Sequence, residues 1–155
     1  MTFQVHPLPQ AHFEGLSELS EEELGARNIK TYIAEEKPGY PCRVSLADAD
    51  VGQTVFLLNF EHQPNDTPYR ASHAIFVTSG ARSRTPAPDT LPESISSRLL
   101  SVRAFDGEHT MVDAEVVEGR DAIPVIEQML ANQDVDYLQL HYARRGCFAA
   151  EIRRS

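Results

Sequence analysis

Long apolar runs are missing from this chain of 155 residues. None approaches the roughly 18 residues that a membrane-spanning helix needs. The N-terminus, Met1-Thr2-Phe3-Gln4-Val5-His6-Pro7, has neither the basic stretch nor the apolar stretch of a secretory leader, so the expected compartment is the cytoplasm and no membrane partner is expected. Lysine is scarce: Lys30 and Lys37 are the only two, and nearly all positive charge is carried by arginine. The formal net charge of −9 repels nucleic-acid phosphate and anionic membrane surfaces, which excludes a nucleic-acid partner. Only two cysteines occur, far apart and without a Cys-x-x-Cys pair, which fits reduced thiols rather than a disulfide framework. The sequence contains no Gly-x-Gly-x-x-Gly, phosphate-binding loop, His-Glu-x-x-His or Gly-x-Ser-x-Gly pattern, so the common motif-bearing enzyme classes are excluded. Internal repeats and low-complexity segments are absent too.

What is present is the composition of an ordinary soluble globule, 41% hydrophobic and 24% charged. A chain of this length fits one domain, here residues 1–155, and buries roughly 68–70% of its unfolded surface without help from metal or disulfide. Residues 3–19 alternate poorly and carry Pro7 and Pro9, which reads as an extended segment with Phe13 available to dock on the core. Ser20-Glu21-Glu22-Glu23 is a helix start, with a Ser cap and Glu23 at the reciprocal capping position; the helix stops near residues 25–28. Ile29, Thr31 and Ile33 alternate as a strand. The acidic stretch Ala47-Asp48-Ala49-Asp50-Val51-Gly52 is a turn and not a calcium loop, because Gln53 and Asn59 stand where that loop needs Gly and Glu. Residues 54–60 are nearly all apolar and read as a central strand. After them come a polar loop over 61–72, a returning strand over 73–77 and a proline-rich excursion over 81–92. Residues 93–97 make one helical turn. Asp106-Gly107 joins strands 99–105 and 111–118. Asp121 is placed to cap a helix over 122–132, whose buried face is Ile123, Ile126, Met129 and Leu130. Strands 135–142 and 147–153 close the chain. The fold class is α+β: a mostly antiparallel sheet of about six or seven strands with two short helices.

Three sets of residues carry potential chemistry. Cys42 stands beside Arg43, and Cys147 follows Arg144-Arg145-Gly146; guanidinium charge lowers a thiol's pKa and raises its thiolate fraction. The bland alternative is two small buried hydrophobes. Because both cysteines open extended segments, they are expected to come together in the fold, bringing Arg43 and Arg144 with them. His62, His73 and His141 are the second set. No pair among them has zinc-ligand spacing, so neither a metal nor another cofactor is expected; His141 alternates away from Leu138 and Leu140, onto a face that reads as solvent. The third set is the loop, with Glu61, His62, Asn65, Asp66, Tyr69, Arg70 and Ser72. An Arg fork there suits a carboxylate or phosphate, and an Arg70–carboxylate pair is the structural alternative. Two functions from different classes follow. One is a noncatalytic binding or interaction module, its ligand a small anionic molecule held by Tyr69, Arg70, Ser72, Arg43 and Arg144, or its partner a protein. The other is a cysteine-dependent enzyme with Cys147 or Cys42 as nucleophile and His141 or His62 as base.

At Tyr40-Pro41-Cys42-Arg43, Pro68-Tyr69-Arg70-Ala71-Ser72, Ile75-Phe76-Val77, Arg103-Ala104-Phe105-Asp106 and Ala143-Arg144-Arg145-Gly146-Cys147-Phe148, the sequence resembles a bacterial family catalogued as domain of unknown function 1203. The resemblance implies a small single-domain bacterial protein with no assigned activity. It makes both cysteines and Arg70, which lie inside the matching motifs, candidates for shared architecture or function. His73-Ala74 departs from the Gly-Pro pair expected there in many relatives, so the resemblance assigns His73 no role.

Overall fold

The computed structural model, which describes residues 2–155, is about 19% helix and 38% strand, with eight strands in two antiparallel sheets among the described residues. Met1, where the reading of the N-terminus begins, lies outside the described residues. By their contacts the residues divide into two compact units. One comprises the N-terminal residues through His6 with Glu61–His73 and Thr85–Ser155; the other comprises Pro7–Phe60 and Ala74–Arg84.

The first unit is built on five strands: β1 (Phe3–His6), β5 (Leu99–Phe105), β6 (Met111–Glu118), β7 (Tyr137–Tyr142) and β8 (Cys147–Arg154), in the order β1-β8-β7-β5-β6. Val102 and Ala104 of β5, Leu138 and Leu140 of β7, Ile152 of β8 and Val5 of β1 are wholly buried. Each such aliphatic side chain contributes about 1.5–3 kcal/mol of burial except the smaller Ala. Helix α3 (Ala122–Ala131) packs against β5 and β6 and buries Ala122, Ile126, Met129 and Leu130. Ile123 is only half-buried, because the buried stripe begins one residue earlier than the apolar spacing predicts. Asp121 does not cap the helix through its side chain; a 3-10 turn over Gly119–Asp121 leads into it instead. At the far end Arg154 donates to the carbonyls of Leu130, Asn132 and Val135 at 2.6–3.1 Å, placing a cation on the negative end of the helix dipole. A short helix, α2 (Glu93–Ser96), precedes β5.

The second unit carries the sheet order β2-β3-β4, with β2 (Lys30–Ile33), β3 (Thr54–Gln63) and β4 (Ala71–Thr78). Helix α1 (Glu21–Ala26) starts as the sequence predicts: Ser20 Oγ accepts from Glu23 N at 3.1 Å, and the Glu23 carboxylate accepts from Ser20 N at 3.2 Å. Its Leu24 packs with Leu16 and Phe56, and Phe13 reaches that cluster as expected. β3 is the central strand of its sheet. It runs three residues beyond the predicted end, and β4 begins two residues early, so the twelve-residue loop shrinks to residues 64–70. The N-terminal segment was read as merely extended, yet residues 3–6 form β1 on the edge strand's partner β8, pairing Phe3 with Arg154 and Val5 with Ile152. Among the described residues, no helix is long and apolar enough to cross a membrane.

Candidate functional site

In β5 and β7 the residues alternating with the aliphatic set are Ser101, Arg103 and Phe105, and Tyr137, Gln139 and His141. The register sets Arg103 opposite Gln139, Ser101 opposite His141 and Phe105 opposite Tyr137, so all six share one face. Phe148 of β8 lies opposite His141, and Glu151 opposite Gln139. Residues Glu61–His73, which belong to the same unit, bring His62, Gln63 and Tyr69 to this face.

Gln139 organises the centre. Its Nε2 donates to the backbone carbonyl of His62 at 2.8 Å, which fixes the amide so that Oε1 is left as an acceptor. That oxygen receives Nδ1 of His62 at 3.1 Å and Nε2 of His141 at 3.0 Å. An amide oxygen only accepts, so His62 carries its proton on Nδ1 and the neutral His141 on Nε2, the nitrogen with the shorter contact; Nδ1 of His141 lies 3.3 Å from the Gly146 carbonyl. The two rings meet edge to face at 4.7 Å, and His62 also stacks on Phe148. Burial pushes the His141 pKa down to about 3, with the Arg103 charge and His62 adding in the same direction. Burial also lowers His62, against the Gln139 hydrogen bond. Both imidazoles are therefore neutral near pH 7, and Nε2 of His62 has no hydrogen-bond partner among the described residues.

Arg103 is the charged member. Its Nε donates to Ser101 Oγ at 3.1 Å, and no carboxylate among the described residues pairs with it. Desolvation alone moves its pKa, downward. A half-buried guanidinium with both terminal nitrogens uncommitted is costly, and an oxyanion is the group that compensates it. A second chain of hydrogen bonds ties the loop to the sheet: Asn65 donates to Gln63 Oε1 at 2.6 Å, and Gln63 donates to the Tyr137 hydroxyl at 2.9 Å. That hydroxyl meets Nδ1 of His109 at 2.8 Å. His109 stands at φ +64°, so the left-handed residue of the β5–β6 turn is His109 and not Gly107.

The residues singled out in the sequence fall differently. Tyr69 is exposed, with its ring edge-on to Phe105. Arg70 is paired with Glu61 at 2.9 Å in an exposed ion pair, the structural alternative named for it, and Ser72 is exposed. Arg144 is exposed in the β7–β8 turn. Arg43 is 1% exposed and donates to the Pro41 carbonyl at 2.6 Å, so it is a structural cation rather than a ligand-facing one. The cysteines belong to different units, and neither forms a disulfide. Cys42, 2% exposed, packs with Val44, Ile75 and Val77. Burial raises its pKa, but hydrogen bonds from Ser45, Thr78 and Val44 outweigh that and bring it below the ordinary thiol value. No histidine is among the thiol's partners. Cys147 pairs with Tyr142 while His141 pairs with Phe148, so Cys147 and His141 project to opposite faces of the sheet and cannot act as nucleophile and base. His141 is not on a solvent face; it is wholly buried, because residues from Glu61–His73 cover it. Arg103 and Gln139 were missed as site residues. The only signal for them was their place in the alternation. Among the described residues no group of three or more His, Cys, Asp or Glu is arranged to hold a metal ion.

Compared with known proteins, residues 39–154 match the family described as Protein of unknown function (DUF1203). No curated protein matches the chain, and no solved structure does.

Proposed function

The chain belongs to the family described as Protein of unknown function (DUF1203), and from that premise we propose that it is a noncatalytic binding module that takes a small oxyanion, a carboxylate or a phosphate, at Arg103. The observation that carries this reading is the guanidinium itself: half-buried, bonded only to Ser101, and without a carboxylate to neutralise it. An arriving oxyanion forms charge-assisted hydrogen bonds with the free terminal nitrogens. It also offsets the Arg103 charge that lowers the His62 pKa, making protonation of that ring less costly. The arginines first suggested for this role fit it less well, Arg70 being neutralised by Glu61 and Arg43 being enclosed.

A cysteine-dependent reaction is the weaker reading, since Cys147 faces away from His141 and Cys42 has no base at hydrogen-bond distance. Isothermal titration of the full chain with butanoate and with inorganic phosphate tests the binding reading. Saturable binding of either, abolished in Arg103→Gln with the urea midpoint unchanged, supports it. No binding of either anion, or equal binding to the variant, overturns it.

A further inference from the structure

β6 is an edge strand of the five-stranded sheet, exposed along most of its length, and it carries apolar as well as acidic side chains there. On the face where β5 is aliphatic, β6 carries Asp113 opposite Ala104, Glu115 opposite Val102 and the half-buried Val117 opposite Leu100. On the face where β5 carries Ser101 and Arg103, β6 presents Val116 and Ala114 opposite those two residues, with Glu118 opposite Leu99 at the end of the strand. Val112 sits at the β5–β6 register shift, without a partner on β5, and follows Ala114 and Val116 onto that face by its spacing from them. Val112 is 46% exposed and Val116 is 57% exposed. A half-solvated antiparallel strand ordinarily turns polar residues to water, so two exposed valines flanking an alanine form a stripe with something to cover. The stripe spans roughly 13 Å at the strand rise of about 3.4 Å per residue. Its centre, Ala114, is directly opposite Arg103 and too short to shield the guanidinium from that side.

Resting on the reading of Arg103 as an anion seat, we infer that the ligand is amphipathic: a carboxylate whose unbranched aliphatic tail lies along Val112, Ala114 and Val116. The head and tail requirements meet at the Arg103–Ala114 pair, where charge and apolar stripe are adjacent on one face. A bare inorganic anion leaves the valines in water. A purely apolar occupant leaves the guanidinium uncompensated. A second copy of the acidic edge strand brings Asp113 and Glu115 toward their own like charges, which disfavours self-pairing. The carboxylate with a tail satisfies both halves of the surface.

The test is isothermal titration of the full chain with butanoate and decanoate, on the natural sequence, on Arg103→Gln and on the double variant V112T/V116T. Threonine keeps the shape and strand preference of valine and both sites are exposed, so folding is retained. Full burial tightens binding roughly fourfold per methylene, and an open face about twofold. Decanoate is therefore expected to bind more than tenfold tighter than butanoate, with most of that advantage lost in V112T/V116T and both ligands lost in Arg103→Gln. Butanoate and decanoate binding alike overturns the tail while leaving the anion seat standing. Failure of both to bind overturns the two readings together. Decanoate binding undiminished in Arg103→Gln means the stripe acts without the guanidinium and overturns both the amphipathic-anion assignment and the seat. Concentration-dependent dimerisation abolished by V112T/V116T, with no chain-length effect, assigns the stripe to a second copy instead.

Discussion

Nε2 of His141 lies 3.0 Å from Oε1 of Gln139, two residues earlier on the same strand, and burial holds the ring in its neutral form. Arg103, His62 and His73 oppose its protonation, while the Gly146 carbonyl, 3.3 Å from Nδ1, favours it less strongly. The folded pKa of about 3 lies below the unfolded value of 6.5, so between those values the unfolded chain binds the extra proton. Stability from this residue is full above pH 6.5 and is lost as the pH falls toward 3, on the order of 1 kcal/mol per pH unit. Urea midpoints measured between pH 7 and pH 4 are expected to fall steadily. In His141→Gln the slope is expected to be shallower, and an unchanged slope contradicts the assignment.

Gly119 is expected to tolerate no side chain. A Cβ there stands 2.5 Å from the carbonyl oxygen of Ile95, 2.6 Å from that of Ser96 and 2.7 Å from that of Arg98. These are backbone atoms of the segment between α2 and β5, and they cannot swing aside as a side chain does. Gly119→Ala is expected to cost about 3 kcal/mol, read as a drop in the urea midpoint. A change under about 0.5 kcal/mol shows that the segment yields.

Cys42 serves as an acceptor for the backbone of Ser45 and Thr78, at 3.5 and 3.3 Å. Cys42→Ala removes that acceptor from buried N–H groups and is expected to cost about 1–3 kcal/mol, partly restored in Cys42→Ser. Iodoacetamide is expected to label neither Cys42 nor Cys147 until the protein unfolds, since both are buried. Labelling of either in the native state, followed by mass spectrometry, contradicts the structural role.

Local signals in the sequence translated well where the physics is local. The Ser20–Glu23 capping box and the β5–β6 hairpin lie where their residues predict, because a cap and a tight connection depend on residues a few positions apart. β1 was invisible because its pairing with β8 joins the two ends of the chain, and Pro7 and Pro9 masked the alternation before them. His141 and Arg103 follow the same rule. Their alternation told which face they share, but whether that face meets water, a histidine or a carboxylate depends on which loop folds over it. Arg70 shows the converse: its position in a long polar loop drew attention, yet Glu61, nine residues earlier, neutralises it.

The most direct measurement is the titration of His62 by nuclear magnetic resonance, with and without saturating butanoate. In the free protein the ring is expected to titrate below 6.5, through burial foremost and through Arg103 and His73 beside it. An oxyanion seated on Arg103 offsets that positive charge, so bound butanoate is expected to raise the His62 pKa, and Arg103→Gln is expected to abolish the rise. A His62 titration that butanoate leaves unmoved, or moves equally in Arg103→Gln, contradicts Arg103 as the anion seat.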